Sequence, residues 1–483
     1  MFLTVVKNCK KLVPILKPKI LTEKQRLKTM FYQSNNIQNI LEMEDDSTCS
    51  LAGRVMSFRK SGGISFGHIQ SNGQRLQFAL RKNIIGAERY SQFVKQIKIG
   101  VHVGVTGKRW TTTTGEPTVS VEDFTLLQDV WKPFPDKFSG IQSVEEQRRK
   151  RHLDCTMDQN TFNDFKLRMK TVSHVRRFLE GHDFLEVETP ILQATASGAM
   201  ATPFVTKHNA LDAELHMRIA PETFLKRTVA AGFDRVFEIG KNFRNEGIDP
   251  SHLQEFTVVE WYAAYFHAND NLKLYLSLLD DLSVLFPKKQ DFFASPTIRT
   301  YEELFVQFTG SSWKDFEQSS LDKIFKEKVR PNLHGSWIVT DYPAVMAPMA
   351  ERKQNDDLIA DMWQHIYNTW EVAKCYTELT NPILQRELLE EQAAQKANSS
   401  TSNDEDTMLL EEDFIECMEY GMPPMSGLGI GIDRLICILL DKQNLKDVVL
   451  FPLMLSRGAH LRSTPTSVGR TAGAVRRWPR TFA

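Results

Sequence analysis

Between Val236 and Tyr262 the chain reads VFEIGKNFRNEGIDPSHLQEFTVVEWY, and no other stretch limits the fold as much. Phe237, Ile239 and Phe243 alternate with Glu238, Gly240 and Asn242, the period of two that marks a half-buried strand. Gly247, Asp249 and Pro250 supply turn chemistry between Asn245 and Ser251. Phe256, Val258, Glu260 and Tyr262 then fall on one face, because successive side chains of a strand point to opposite sides. The pattern predicts two antiparallel strands joined by a polar loop. An aromatic ring, a carboxylate and a phenol on one face are a poor choice for a core. With Arg244 and Glu246 at the loop mouth, that face suits a nucleotide beside a cationic small molecule. The bland alternative is a charged surface hairpin.

FRNEG, a following His and EFT-x-x-E-x-Y resemble motif 2 of the class II aminoacyl-tRNA synthetases, specifically their lysine enzymes, and the resemblance runs from about Leu51 to Leu453. It implies an α+β fold, with a class II antiparallel-sheet catalytic domain preceded by an N-terminal OB-fold β-barrel. A length of 483 residues is enough for two or more domains. The expected boundaries are a basic extension and linker (1–46), the barrel (47–135), a hinge (136–160), the catalytic domain (161–456) and an Arg-rich tail (457–483).

Composition excludes several classes. Net formal charge is zero, so RNA contact has to use local patches. Six scattered cysteines with no CxxC spacing argue against a zinc site or a disulfide framework and for a reducing compartment. No apolar run approaches the ~18 residues of a membrane span, and neither a membrane nor DNA is an expected partner.

Met1–Met30 holds eight Lys or Arg and one acid, Glu23, among interspersed apolar residues. That resembles an organelle-import presequence and implies a mitochondrial location. The other reading is a cytoplasmic lysine-rich extension that touches tRNA. Leu41–Ser50 is acidic and polar and reads as a linker. From Leu51 to Leu127 short alternating segments, broken at Gly62-Gly63, Asn72-Gly73 and Gly115, predict five strands with one helical interval, Gly86–Gln96. Such a barrel commonly binds single-stranded nucleic acid. The resemblance implies anticodon reading, with Phe66 stacking on a base and Arg59 and Gln77 bonding base edges, contacts that suit splayed RNA bases. The alternative for Phe66 taken alone is a core aromatic.

Thr161–Gly181 has apolar residues at helical spacing and Gly181 to stop it, and FLEVETP (Phe184–Pro190) follows as a strand. Together they resemble motif 1, which implies a homodimer. In the resembling enzymes Gly198 approaches the substrate α-amino group and Glu222 grips the amino acid. Glu222 also suits a helix N-terminus as a dipole partner. A lysine side chain leaving water needs its ammonium neutralised. Glu260 and Glu378 are the carboxylates implied for this, with Tyr262 and Tyr376 shaping the slot. An aspartate or asparagine enzyme would need a basic residue there, so the acids favour L-lysine.

The implied reaction activates lysine with ATP as an adenylate and then transfers it to tRNA(Lys), the work of a lysine-specific tRNA ligase. No enzyme nucleophile is required; catalysis is positioning and charge stabilisation. Arg244 holds the α-phosphate and the reacting carboxylate, Phe256 stacks on adenine, Glu246 bonds its amino group and His252 approaches the outer phosphates. Gly421–Leu440, GMPPMSGLGIGIDRLICILL, resembles motif 3 and brings Arg434 over the nucleotide. Asn245, Leu253, Val372, Gly431, Ile432 and Asp433 complete the implied ATP contacts. Magnesium bridges the phosphates through carboxylates; Glu371 matches one family ligand, whereas Gln364 stands at the second. Leu253 and Lys374 stand where the family has asparagines touching ATP and lysine. Lys374 shares a strand face with Tyr376 and Glu378 by alternation, and pairing with the substrate carboxylate or a phosphate would compensate charge lost at Gln364. Glu371 has the opposite parity, so its role requires a bulge or a strand end.

Asn381–Ala397 and Met408–Tyr420 read as helices around a solvated loop, Asn398–Asp406. Pro452–Ala483 carries six arginines and no acid, which suits an RNA-touching arm, a strap over the ATP site or an inaccurate gene end. Two rival functions stand beside the main one. A paralogue charging another acceptor would lack the barrel that holds Arg59, Phe66 and Gln77. A non-catalytic tRNA-binding scaffold is favoured by Gln364, Leu253 and Lys374 and opposed by Arg244, Glu246, Phe256, Glu260 and Arg434.

Overall fold

A computed structural model describes residues 31–135, 140–195, 197–199, 201–247, 249–398 and 411–454. The expected presequence, nearly all of the loop Asn398–Asp406 and the Arg-rich tail 457–483 lie outside the described residues.

The N-terminal unit is a closed barrel of β1 (Thr48–Ser61), β2 (Ile64–Ser71), β3 (Gln74–Arg81), β4 (His102–Thr111) and β5 (Pro117–Gln128), in the order β1-β2-β3-β5-β4. A single long strand, β1, pairs with β4 through its first half and β2 through its second, with a bulge at Val55/Ser57 between them. Bulges bend a strand and increase its twist, and this one lets the sheet close. Val55, Ile69, Phe78, Val105, Val121 and Phe93 of the interval helix Ala87–Gln96 fill the interior.

The stretch read as a linker is shorter than expected. Helix α1 (Ile37–Glu42) starts at a capping box made by Asn36 and Asn39 and buries Ile37 and Ile40 in the barrel core. Two apolar residues three apart behind an Asn cap are a helix signal, and the acidic run after them obscured it.

Barrel and catalytic unit touch directly. Gln70 Nε2 donates to Thr156 O at 3.0 Å, and the Asn72-Gly73 turn packs on the ring of Phe162. Phe162 opens helix α2 (Gln159–Glu180), capped by Asp158. The expected hinge is helical over Val144–Arg149 and Arg151–Met157, and Arg148 clamps Asp447 with two bonds of 2.8 and 3.0 Å.

The catalytic unit is built on an eight-stranded sheet. Its strands in chain order are β6 (Leu185–Glu186), β7 (Arg235–Phe243), β8 (Glu255–Ala264), β9 (Thr297–Thr300), β10 (Ser336–Thr340), β11 (Met362–Tyr367), β12 (Trp370–Thr377) and β13 (Met425–Gly431), and their spatial order is β9-β10-β11-β12-β13-β8-β7-β6. Pairing is antiparallel except at the two edges, β9 with β10 and β6 with β7. FLEVETP contributes two strand residues, Leu185 and Glu186, before Pro190 ends any further pairing. One face of the sheet packs on α2, helix Ala268–Ser283 and helix Ile432–Leu439 through Phe237, Val259, Trp261, Ala373, Cys375 and Leu428. Among the described residues no helix is long and apolar enough to cross a membrane.

Candidate active site

Directly opposed residues of neighbouring strands share a face, so register fixes what lies together on the side of the sheet opposite that core. Glu238, Glu260, Gly429, Lys374 and Gln364 form one row across β7, β8, β13, β12 and β11. Val236, Tyr262, Gly427, Tyr376 and Met362 form the next. After Met425, β13 carries only glycines on this face, Gly427, Gly429 and Gly431. The result is a trench with Glu260 and Tyr262 on one bank and Lys374 and Tyr376 on the other. A Cβ on Gly427 would collide with the Tyr262 ring and the Glu378 carboxylate, so glycine is what leaves room for both.

One end of the trench is rich in acid. Pro221 precedes helix α3 (Glu222–Ala230), which sets Glu222 in its first turn. Tyr376 Oη donates to Glu222 Oε1 at 2.6 Å. Lys226, one turn along, donates to the same oxygen at 2.8 Å and pairs with Glu378. Gly198 sits at the head of α3 with φ of +84° and 3.1 Å between its Cβ position and Glu222 Cβ. Glu260 has the Tyr262 hydroxyl at 3.5 Å and no ion pair among the described residues. Burial pushes its carboxyl up to about 8, Glu222 adding and Arg244 opposing. Three carboxyl groups thus face one internal ammonium, and a cationic ligand would favour the ionised form that burial disfavours at Glu260.

The other end carries the nucleotide candidates. The Arg244 guanidinium lies 5.1 Å from the Phe256 ring centroid, and its backbone N–H donates to Gln254 O at 2.8 Å. Its Nε is buried with no partner among the described residues. Asn242, opposite Phe256 in register, is buried, and neither of its side-chain polar atoms has a partner among the described residues. Sequence reading missed Asn242, although its position on the Glu238–Gly240 face was legible. Glu246 and Asn245 flank the loop mouth, Asn245 exposed, and His252 is held at 2.6 Å by Asp249.

Four residues implied for ATP have other commitments. Asp433 is buried, accepting from Thr257 N at 2.7 Å and pairing with Arg168 of α2 at 2.6 Å. Ile432 and Val372 lie in the core beneath the sheet, and Leu253 packs against that core. Gly431 belongs to the trench floor. Arg434 reaches over β12 and donates from Nη1 to Glu371 O at 2.8 Å.

The parity problem at Glu371 is resolved by a bulge. Register shifts between His365 and Ile366, so that His365 faces Ala373 while Ile366 faces Glu371. Two residues oppose one, and Glu371 joins Lys374 and Gln364 on the trench face. Its carboxylate has no hydrogen bond or ion pair among the described residues, whereas Gln364 Oε1 accepts from Tyr342 Oη at 2.8 Å. One free carboxylate fits a magnesium ion that takes its remaining ligands from phosphates and water. A second carboxylate is lacking, and no group of three or more His, Cys, Asp or Glu suited to a metal occurs among the described residues.

On the barrel, Arg59 faces Phe66 across β1 and β2, and His68 faces Gln77 across β2 and β3. Phe66, His68 and Gln77 therefore share one outer face with Arg59. Gln77 Nε2 donates to Glu116 at 2.5 Å and its Oε1 accepts from Thr118 at 3.0 Å. His68 and Glu116 line the same cleft of about 360 Å³. Neither was singled out from sequence; both become visible only through pairing.

Residues 143–455 match the family described as tRNA synthetases class II (D, K and N), and residues 49–127 match the OB-fold nucleic acid binding domain. Lysine--tRNA ligase of Aquifex aeolicus is 41% identical over 436 residues, covering 83% of this chain and 72% of that protein. The Magnetococcus marinus enzyme of the same name is 36% identical, covering 84% and 87%. That of Carboxydothermus hydrogenoformans is 37% identical, covering 88% and 93%.

Proposed function

The chain belongs to the class II tRNA synthetases of the D, K and N group, among its lysine--tRNA ligases, and from that premise we propose that it charges tRNA(Lys) with L-lysine using ATP. The observation that carries the choice of lysine is the acid-rich end of the trench, where Glu260 has no ion pair among the described residues. Glu222 takes the α-ammonium close to Gly198, and Glu260 and Glu378 take the side-chain ammonium between Tyr262 and Tyr376. Arg244, with its unpartnered Nε, holds the lysine carboxylate against the α-phosphate. Attack releases pyrophosphate and forms the lysyl-adenylate. The terminal hydroxyl of tRNA then displaces AMP.

Phe256 stacks on adenine, with Glu246 and Asn245 at its edge. Arg434 and His252 serve the outer phosphates. Asn242, with two free polar atoms, joins Arg244. Asp433 acts by fixing Thr257 beside Phe256. When bound, magnesium draws charge off the phosphates, and Glu371 would hold it with Gln364 nearby. Lys374 supplies a further positive charge beside Gln364. Replacing Lys374 by Asn should slow lysine activation about tenfold or more, the effect of losing one charge-assisted contact; faster activation with unchanged substrate binding would defeat this assignment.

Barrel residues Arg59, Phe66 and Gln77 read the anticodon, with Glu116 tying down Gln77. Stacking on an aromatic contributes about 1–3 kcal/mol per base. Phe66→Ala should therefore cut kcat/KM for tRNA in aminoacylation by roughly ten- to a hundredfold while pyrophosphate exchange is unchanged. The domain limits proposed are 47–135 for the barrel and 161–456 for the catalytic unit, joined by 136–160. A homodimer is supported by the exposed Leu185, Ile191 and Leu192 beside the motif 1 helix. Mitochondrial import is supported by the basic, acid-poor Met1–Met30.

The deciding experiment is lysine-dependent ATP–pyrophosphate exchange with the full chain. Exchange with lysine and not with aspartate or asparagine is expected. No exchange by folded protein would favour the scaffold reading, which Gln364, Leu253 and Lys374 motivate.

A further inference from the structure

Lys226 is the only buried lysine among the described residues. Its Nζ donates to Glu222 Oε1 at 2.8 Å and pairs with Glu378, and the Tyr376 and Phe414 rings stand 5.6 and 5.9 Å away. Moving an ammonium into such a site costs several kcal/mol unless carboxylates face it. The two that do so here are among the three proposed for the substrate. Glu411, at the N-cap of helix Glu412–Glu419, is taken by Arg227 at 3.0 Å and by Ser197. The remaining groups facing the cluster are Glu260 and the phenols of Tyr262 and Tyr376, which burial keeps neutral by raising them well above the ordinary tyrosine value.

Three carboxyl groups enclosed together cannot all stay ionised without a counter-charge. Burial lowers a lysine's affinity for its proton, but Glu222 and Glu378 outweigh that and hold the Lys226 ammonium above its ordinary value. The ammonium thus persists in the free protein, where it bridges Glu222 on α3 to Glu378 just beyond β12.

Resting on the lysine reading above, we propose that Lys226 is a positioning and specificity-determining residue, an in-chain counter-ion that holds Glu222 and Glu378 as a fixed pair of carboxylates and leaves Glu260 for the substrate side chain. The pocket is then matched to a ligand that brings net positive charge, and it needs no second cation to assemble.

The test is Lys226→Met in the full chain, read by lysine-dependent pyrophosphate exchange between about pH 6.5 and 8.5. Near pH 7 the KM for lysine should rise at least about tenfold, one unit of lost carboxylate ionisation, with the KM for ATP changed little. The defect should shrink as pH rises and the carboxyls lose their protons. In Lys226→Ala, added n-propylammonium should restore part of the lysine affinity. A pH-independent rise, or equal loss of ATP affinity, would make Lys226 merely structural and overturn the proposal. If neither variant folds, calorimetry of lysine binding to wild-type protein in buffers of different ionisation enthalpy decides: burial and Glu222 push the Glu378 carboxyl up while the Lys226 ammonium opposes them, so about one proton released near pH 7, from Glu260, is expected if Lys226 holds Glu378 ionised, and two or more, with Glu378 protonated beside it, would overturn the proposal. Lysine-independent behaviour of the wild type would instead remove the substrate reading itself.

Discussion

Arg244→Ala should lower lysine-dependent pyrophosphate exchange by about 10²–10³-fold, the loss seen when one donor to a developing charge is removed. The side chain comes off the end of β7 with its backbone tied to Gln254 and its guanidinium over Phe256. The buried, unpartnered Nε shows a donor desolvated before any ligand arrives, so reorganisation at the moment of reaction is small. Arg244→Lys should recover little, because an ammonium cannot offer two parallel donors. Thermal melting should be nearly unchanged, since the Arg244 side chain has no ion pair among the described residues. A loss below tenfold with intact folding would move the burden to Arg434 or Asn242.

Gly427→Ala should affect the amino acid and spare the nucleotide. The added methyl lands between the Tyr262 ring and the Glu378 carboxylate, both buried. Overpacking of that kind costs about 1–3 kcal/mol, which predicts a lysine KM raised by roughly ten- to a hundredfold. Phe256 and Arg244 lie two or more rows along the sheet, so the KM for ATP should stay within about twofold. Gly429→Ala is the control: its Cβ would lie 3.5 Å from Glu260 Cγ, an ordinary contact, and the lysine defect should be smaller. Equal defects from the two variants would mean that the glycines act through strand flexibility and not through space.

The β7–β8 hairpin and the glycine strand were legible because each is a local pattern, alternation with turn residues in one case and repeated glycine ahead of an apolar helix in the other. What depended on register was hidden. Glu371 has the wrong parity until the His365/Ile366 shift is known, and a bulge leaves no reliable mark on one strand's own sequence. Lys226 sits four residues after Glu222, a spacing that ordinarily describes a solvated helix pair; its burial comes from β8 and helix Glu412–Glu419, far away in sequence. From sequence alone Asn242 is only the polar half of an alternation. Asp433 was legible as part of IDRL, but its partner Arg168 lies on a helix 265 positions earlier, and that pairing turns it inward.

Helix α2 touches both working ends of the molecule. Phe162 in its first turn meets the Asn72-Gly73 turn of the barrel, and Arg168, two turns on, holds Asp433 next to Arg434. At 1.5 Å per residue the six residues from Phe162 to Arg168 set these two contacts about 9 Å apart along the helix axis. The barrel is therefore mounted on the same beam that braces the nucleotide site, and the gap between them is a dimension of the fold, like the jaws of a caliper. An RNA that reaches both faces at once has to match that span, so length and bend become grounds for rejection before any base is read.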